Sequence, residues 1–400
     1  MTGAAALLLE SSVLKARRKA KHSGEETTMM MKTGRRYSFR GCACCEQPAL
    51  MSAAPALSRR TVLGGAAALG LSAAAGFAPR TSLAQAPAAS PGKPHRIDVH
   101  HHIAPPKYVA EFKSELQPPM IAWSVSKSLD DMDKSGVATA ITSVTTPGSA
   151  FTGKDGRRVA RECNEYAARL VQDHPGRFGM FVALPLTDVE GSLRELEFGL
   201  DVLKADGVSV FTSYGNLWLG DPAFEPVIAE LNRRKAVIYT HPDAPNCCRD
   251  PMVPEIREPI IEYGTDTTRA IARVLFSGTA VRYRDVRWIF SHGGGTAPFL
   301  AERLIRTPSL NKKLVETVPN GAMAELQRFY YDVAQIAHPV PLAALAKFVP
   351  ASQILWGTDY PFRFGNEYVK ALAEFGFSAG DLSKIDRENA LALLPRLKAG

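Results

Sequence analysis

From Arg96 onward, short apolar runs alternate eight times with longer amphipathic stretches, and that alternation constrains the fold more than any other feature. The runs are 96–100, 138–144, 178–184, 207–211, 236–240, 286–290, 329–333 and 354–358. They are apolar and β-branched through their middles, as parallel strands covered on both faces must be. The stretches 155–173, 188–204, 222–234, 264–278 and 297–306 carry helical spacing. Asp188 and Asp221-Pro222 have the chemistry of helix starts. Eight such units in about 300 residues predict a single (β/α)₈ TIM barrel over residues 95–400, of class α/β. No glycine-rich phosphate loop follows the first strand, which argues against a nucleotide-binding doubly wound sheet.

The net charge of +8 suggests a nucleic-acid partner until its position is read. Residues 1–86 hold twelve Lys and Arg against four Asp and Glu, leaving 36 of each sign beyond them. The part that folds is therefore neutral overall and has no field to attract a phosphate backbone. The six cysteines divide into Cys42, Cys44 and Cys45 in the leader and Cys163, Cys247 and Cys248 in the body. The body set lacks C-x-x-C spacing, so neither a disulfide framework nor a thiolate zinc site is expected there.

Within the leader, Ser58-Arg59-Arg60-Thr61-Val62-Leu63 opens a weakly apolar stretch, and Ala84-Gln85-Ala86 suits a signal peptidase. This pattern resembles a twin-arginine export signal. Residues 51–86 are thus expected to be a signal peptide, with a periplasmic or secreted product and no stable membrane insertion after cleavage. The competing reading is an uncleaved anchor, although Val62 to Ala78 is barely long enough to span a bilayer. Residues 1–50 show no periodicity, and Met51 precedes a normal signal n-region. Met51 is accordingly expected to be the true start, residues 1–50 a non-native extension and residues 87–94 a linker.

The body has eight histidines, and five of them fall at the ends of proposed strands: His100, His101, His102, His241 and His292. Asp359 closes the eighth strand. In a barrel these C-terminal ends share one face, where chemistry collects. His100 and His102, two apart, point the same way, while His101 points elsewhere. With His241 and Asp359 they would form a nitrogen-rich shell for one divalent ion. Taken singly, each residue is more simply a hydrogen-bonded polar side chain or a turn residue; the joint placement is what argues for a metal.

IDVHHH at 97–102, IYTHP at 238–242, FSHGGGTAPFLAERL at 290–304 and ILWGTDYPF at 354–362 resemble the amidohydrolase-related family, of metal-dependent hydrolase superfamily type. The decarboxylase branch is the nearer match, the one that includes aminocarboxymuconate-semialdehyde decarboxylase. RIDVHHHIAPP and SYGNLWLGDPAFEPV look most like 6-methylsalicylate decarboxylases within it. The resemblance implies metal ligands at His100, His102, His241 and Asp359, and proton handling at His292. It also implies a small carboxylic acid substrate and a homodimer. The ion is expected to be zinc, with manganese as the alternative. The fourth strand ends VFTSYGN, without the lysine that bridges two metals in many hydrolases of the superfamily.

These residues lead to an expectation of non-oxidative decarboxylation of a small hydroxyaromatic or related unsaturated acid. A proton from Asp359 or His292 would reach the ring carbon as CO₂ leaves. Hydrolysis of a lactone or amide by metal-activated water remains the second reading, and a non-catalytic metal-binding protein the third. The segment from Ala244 to Tyr263 is expected to form a loop over the mouth, with Arg249 as a candidate for the substrate carboxylate. Cys247 and Cys248 are expected to be buried thiols. Trp123, Trp218, Tyr214, Phe362 and Trp356 are candidate apolar walls.

Overall fold

The computed structural model describes residues 94–246 and 255–398. The leader, the linker up to residue 93, Cys247, Cys248 and Arg249 lie outside the described residues. Eight parallel strands pair in sequence order: β1 (Arg96–His102), β2 (Val137–Ser143), β3 (Phe178–Ala183), β4 (Gly207–Phe211), β5 (Val237–His241), β6 (Arg287–Phe290), β7 (Tyr330–Asp332) and β8 (Ile354–Leu355). The sheet closes between its first and last strands. There Val99 N–H donates to the Trp356 carbonyl and His102 N–H to that of Tyr360, at 3.1 and 2.8 Å. All eight apolar runs of the sequence are strands of this barrel.

Each strand is followed by a helix: α1 (Val125–Ser135), α2 (Gly156–Asp173), α3 (Val189–Glu197), α4 (Glu225–Arg233), α5 (Glu258–Phe276), α6 (Ala301–Leu310), α7 (Pro339–Phe348) and α8 (Gly365–Phe375). In α2 the buried side chains Val159, Ala160, Cys163, Ala167 and Leu170 recur at three- and four-residue spacing, the stripe that seats a helix on a sheet. Asp188 caps α3 by accepting from Gly191 N–H, and Asp221 caps the short turn before α4 by accepting from Ala223 N–H. Among the described residues no helix is long and apolar enough to cross a membrane.

Two boundaries differ from the sequence reading. α5 starts at Glu258, so residues 258–263 are its first turns rather than loop. Proline at its second position sets the backbone angle without removing a needed hydrogen bond, which lets it begin there. Strand pairing in β8 stops at Leu355, and Asp359 follows on a separate stretch that rejoins β1 through a His101–Tyr360 bridge.

The core has two layers. Phe178, Val208, Ile238, Trp288, Tyr331 and Trp356 belong to a large cluster between strands and helices. Ile141, Phe181, Tyr239, Ile289 and Leu355 belong to a smaller one. Ile141 and Tyr239 lie two residues before Ser143 and His241 on their strands, so they fill the barrel directly beneath the mouth. Ala390, Leu393 and Leu394 join that inner cluster from the C-terminal segment. The interior is thus solid below the mouth, and chemistry is confined to the strand ends above it.

Candidate metal centre

Every candidate ligand is carried by a strand or by the residues directly after one. His100 and His102 are the fifth and seventh residues of β1, His241 ends β5, and all three are buried. The pairing of β1 with β2 slips register between Asp98 and His101. His101 turns away as expected: it meets Asp98 and Ser128 at 3.1 and 2.9 Å and stacks on Tyr360. Asp359 reaches the mouth from a left-handed backbone conformation (φ 63°), with its N–H donated to the His100 carbonyl at 2.8 Å.

The four residues converge. One ligand atom from each of His100, His102, His241 and Asp359 lies within 4.8 Å of the others, and all four side chains are buried. Asp359 Oδ1 is 3.1 Å from His100 Nε2, 3.0 Å from His102 Nε2 and 3.9 Å from His241 Nε2. The far nitrogens fix which lone pairs face inward. His100 Nδ1 meets Asp332 Oδ2 at 2.9 Å, and His241 Nδ1 meets the Pro242 carbonyl at 2.9 Å. Both partners can only accept, so both Nδ1 atoms donate, and Nε2 is the atom of each ring left to face an ion at the centre. His102 Nδ1 pairs with Ser143 Oγ at 3.1 Å. Three imidazole Nε2 atoms and one carboxylate oxygen are the donor set of a divalent transition metal.

Electrostatics agree with a cation at that point. Burial works to lower the His100 pKa, but Asp332 and Asp359 outweigh it and raise it to about 10. Burial prevails at His102 and His241, which fall to about 4 and about 3. Burial alone would raise Asp359, yet the charge of His100 and the surrounding imidazoles hold it well below the usual carboxylate range. The cluster thus keeps its carboxylate ionised and favours one positive charge among neutral imidazoles.

His292 stands beside this group, with Nε2 3.3 Å from Asp359 Oδ2 and its N–H donated to Asp332 Oδ1 at 2.9 Å. The glycines after it are a steric requirement. A Cβ on Gly295 would lie 2.1 Å from the Gly264 carbonyl oxygen, and one on Gly294 would lie 2.7 Å from the Tyr331 ring. Close approach of this loop to α5 and β7 is what sets His292 over the centre.

Above the ligands is a cavity of about 490 Å³, within the range that holds a small organic molecule. Pro119, Ile260, Tyr263, Ile336 and Phe362 supply apolar wall; Thr145, Thr146, Thr296 and Gln335 supply polar wall. The Tyr263 and Phe362 rings sit 6.0 Å from those of His241 and His102, flanking the centre. Of the five aromatic residues proposed as walls, Phe362 alone lines this cavity. Trp356 is buried among helices under the Arg96 guanidinium, and Trp123 packs on Tyr166. Trp218 donates to Asp266, and Tyr214 Oη accepts from Phe211 N–H. Each of the four has a packing or hydrogen-bond role that turns it away.

Sequence reasoning missed Asp332 and Gln335. Asp332 ends β7 and accepts from His100 Nδ1 and from the His292 and Ala334 N–H groups. It lay in view as the acidic residue of FYYDV, a charge placed inside an otherwise apolar run. Gln335 donates from Nε2 to Asp359 Oδ2 at 2.6 Å, and no local pattern marked it.

Fold and site together define a (β/α)₈ barrel with a single cluster of metal-binding residues at its C-terminal mouth, among the described residues. The chain belongs to the amidohydrolase family, whose model matches residues 97–396. It is 36% identical to a decarboxylase, macB, of Penicillium terrestre, over 76% of this chain and 96% of that one. It is 35% identical to the 6-methylsalicylic acid decarboxylase acuB of Aspergillus aculeatus, over 76% of this chain and 97% of that one. Among solved structures, a dihydroxybenzoic acid decarboxylase of Polaromonas sp. JS666, with bound manganese and 2-nitroresorcinol, superposes with a TM-score of 0.65. That match is 21% identical and covers 75% of this chain and 97% of the other.

Proposed function

We propose that this protein is a metal-dependent, non-oxidative decarboxylase of a small hydroxyaromatic acid, with 6-methylsalicylate as the leading substrate. The observation that carries the reading is His292 held against Oδ2 of Asp359, on the floor of a cavity flanked by two aromatic rings. A planar acid in that cavity has a proton-carrying imidazole and carboxylate at one end and apolar wall around its ring. In decarboxylation the C–C bond to the carboxylate breaks, its electron pair takes a proton on the ring carbon, and CO₂ leaves. A bound divalent ion would supply Lewis-acid charge for the oxygens of the acid. His292 and Asp359 hold the proton between Nε2 and Oδ2, and the walls exclude water. Zinc suits three imidazoles and a carboxylate, and manganese is the alternative.

The near full-length similarity to proteins named as decarboxylases favours this reading over lactone or amide hydrolysis. The precursor is proposed to leave the cytoplasm through its twin-arginine leader, and the mature chain to form a homodimer. Replacing Arg59 and Arg60 with lysines should hold it in the cytoplasm; unchanged export would remove that part of the reading.

The direct test is CO₂ release from a panel of ortho-hydroxybenzoates, 6-methylsalicylate among them, by metal-replete protein. Release that a chelator abolishes is the expected result. Turnover of a lactone or amide without CO₂ would replace it with the hydrolase reading.

A further inference from the structure

Five non-glycine residues of the described chain hold a left-handed backbone: Lys204, Lys235, His292, Gln335 and Asp359. Two lie in turns near strand starts, but the other three meet at one atom, Asp359 Oδ2. Such conformations cost free energy in any residue with a Cβ and persist where the surroundings enforce them. Asp and His are among the types that tolerate this region best; Gln is not. Gln335 at φ 60° is pinned by its own N–H, which donates to the buried Tyr368 hydroxyl of α8 at 2.9 Å. That strain delivers the Gln335 amide into the mouth, 2.6 Å from Asp359 Oδ2. A carboxylate can only accept there, so Nε2 faces it and donates permanently.

The two oxygens of Asp359 are therefore divided. Oδ1 faces the three imidazoles, and Oδ2 is shared by Gln335 at 2.6 Å and His292 at 3.3 Å. We infer that Gln335 is a positioning residue that holds Oδ2 and so keeps Asp359 to one oxygen on the metal, leaving coordination room for substrate. Without that amide, Oδ2 keeps only the longer 3.3 Å contact to His292, and the carboxylate is freer to turn both oxygens inward. The Gln335 amide is the shorter of the two contacts to Oδ2 and fixes that oxygen on its side of the carboxylate. This role rests on the metal-centred reading of the site but not on the identity of the reaction.

The test uses Gln335→Gly and Gln335→Leu in the full chain. Glycine relieves the backbone strain while removing the amide, so that variant should fold at least as well as the wild type. Two quantities are read with Mn²⁺ as the probe: its affinity for metal-stripped protein by calorimetry, and the water-proton relaxation of the loaded protein. Expected are retained Mn²⁺ binding and weaker relaxation enhancement, because Asp359 then takes up a position otherwise open to water. CO₂ release should fall about 10–100-fold in kcat/KM, the usual range for removing a residue that orients a ligand. Unchanged relaxation in Gln335→Gly would overturn the inference. So would loss of Mn²⁺ binding, which would mean that Gln335 holds the ligand set together rather than restricting one member of it. Absence of CO₂ release from the wild type would count against the decarboxylase reading alone, since calorimetry and relaxation need no substrate.

Discussion

Both oxygens of Asp359 are engaged at the mouth. One oxygen completes the donor set and the other meets His292 and Gln335, so substitutions around it should separate into distinct classes. His292→Asn should abolish turnover while metal content, read by elemental analysis, stays near one ion per chain; full activity would remove His292 from the mechanism. Asp332→Asn acts one bond further out. It weakens the acceptor that orients His100, and metal affinity measured by competition with a chelator should fall about 10–100-fold. An unchanged affinity would mean that packing alone orients His100.

At the scale of elements, the approach of α8 to α1 contains an ionisable group set against its surroundings. Asp131 on α1 is buried and accepts from Gly365 N–H, the first residue of α8, at 3.2 Å. Burial raises its pKa from 3.8 to about 6, more than the Gly365 bond lowers it. A carboxyl whose folded pKa exceeds its unfolded one contributes stability below pH 3.8 and loses it as pH rises through 6. The ionised group then costs up to about 3 kcal/mol. An asparagine oxygen can still accept from Gly365 N–H, so Asp131→Asn should raise Tm at pH 8 and change it little at pH 3.5. Equal Tm values at pH 8 would show that Asp131 is ionised at no cost.

For the molecule as a whole, the ligands bring β1 and β5 together with the stretch after β8, so an ion at their meeting point ties opposite sides of the barrel. A ligand at 100 times its Kd stabilises the native state by about 2.7 kcal/mol. Stripping the metal should therefore lower Tm by about 5 °C or more, reversibly on readdition. No shift on chelation would argue that the four residues hold no ion in solution.

The strands and most helices were legible because buried parallel strands must be apolar throughout, and amphipathic helices must repeat every three or four residues, whatever the details of packing. The candidate ligands were legible because strand ends share one face in a barrel, so His100, His102, His241 and Asp359 could be gathered from far-apart positions. The family resemblance added the role expected of His292. Local pattern left unread whatever depends on two segments meeting. Asp332 matters because β7 lies beside β6 and one strand away from β1, within reach of His100, and Gln335 because α8 pins its backbone. Trp356, Trp218, Tyr214 and Trp123 carry the same aromatic signal as Phe362, and only their packing shows that Phe362 alone reaches the cavity. Sequence by itself determined the periodicity and the chemical types at the strand ends, which are properties of single segments. Tertiary structure decided which oxygen of Asp359 faces the imidazoles, which groups orient them and which rings wall the cavity, because those are distances between segments that no single segment encodes.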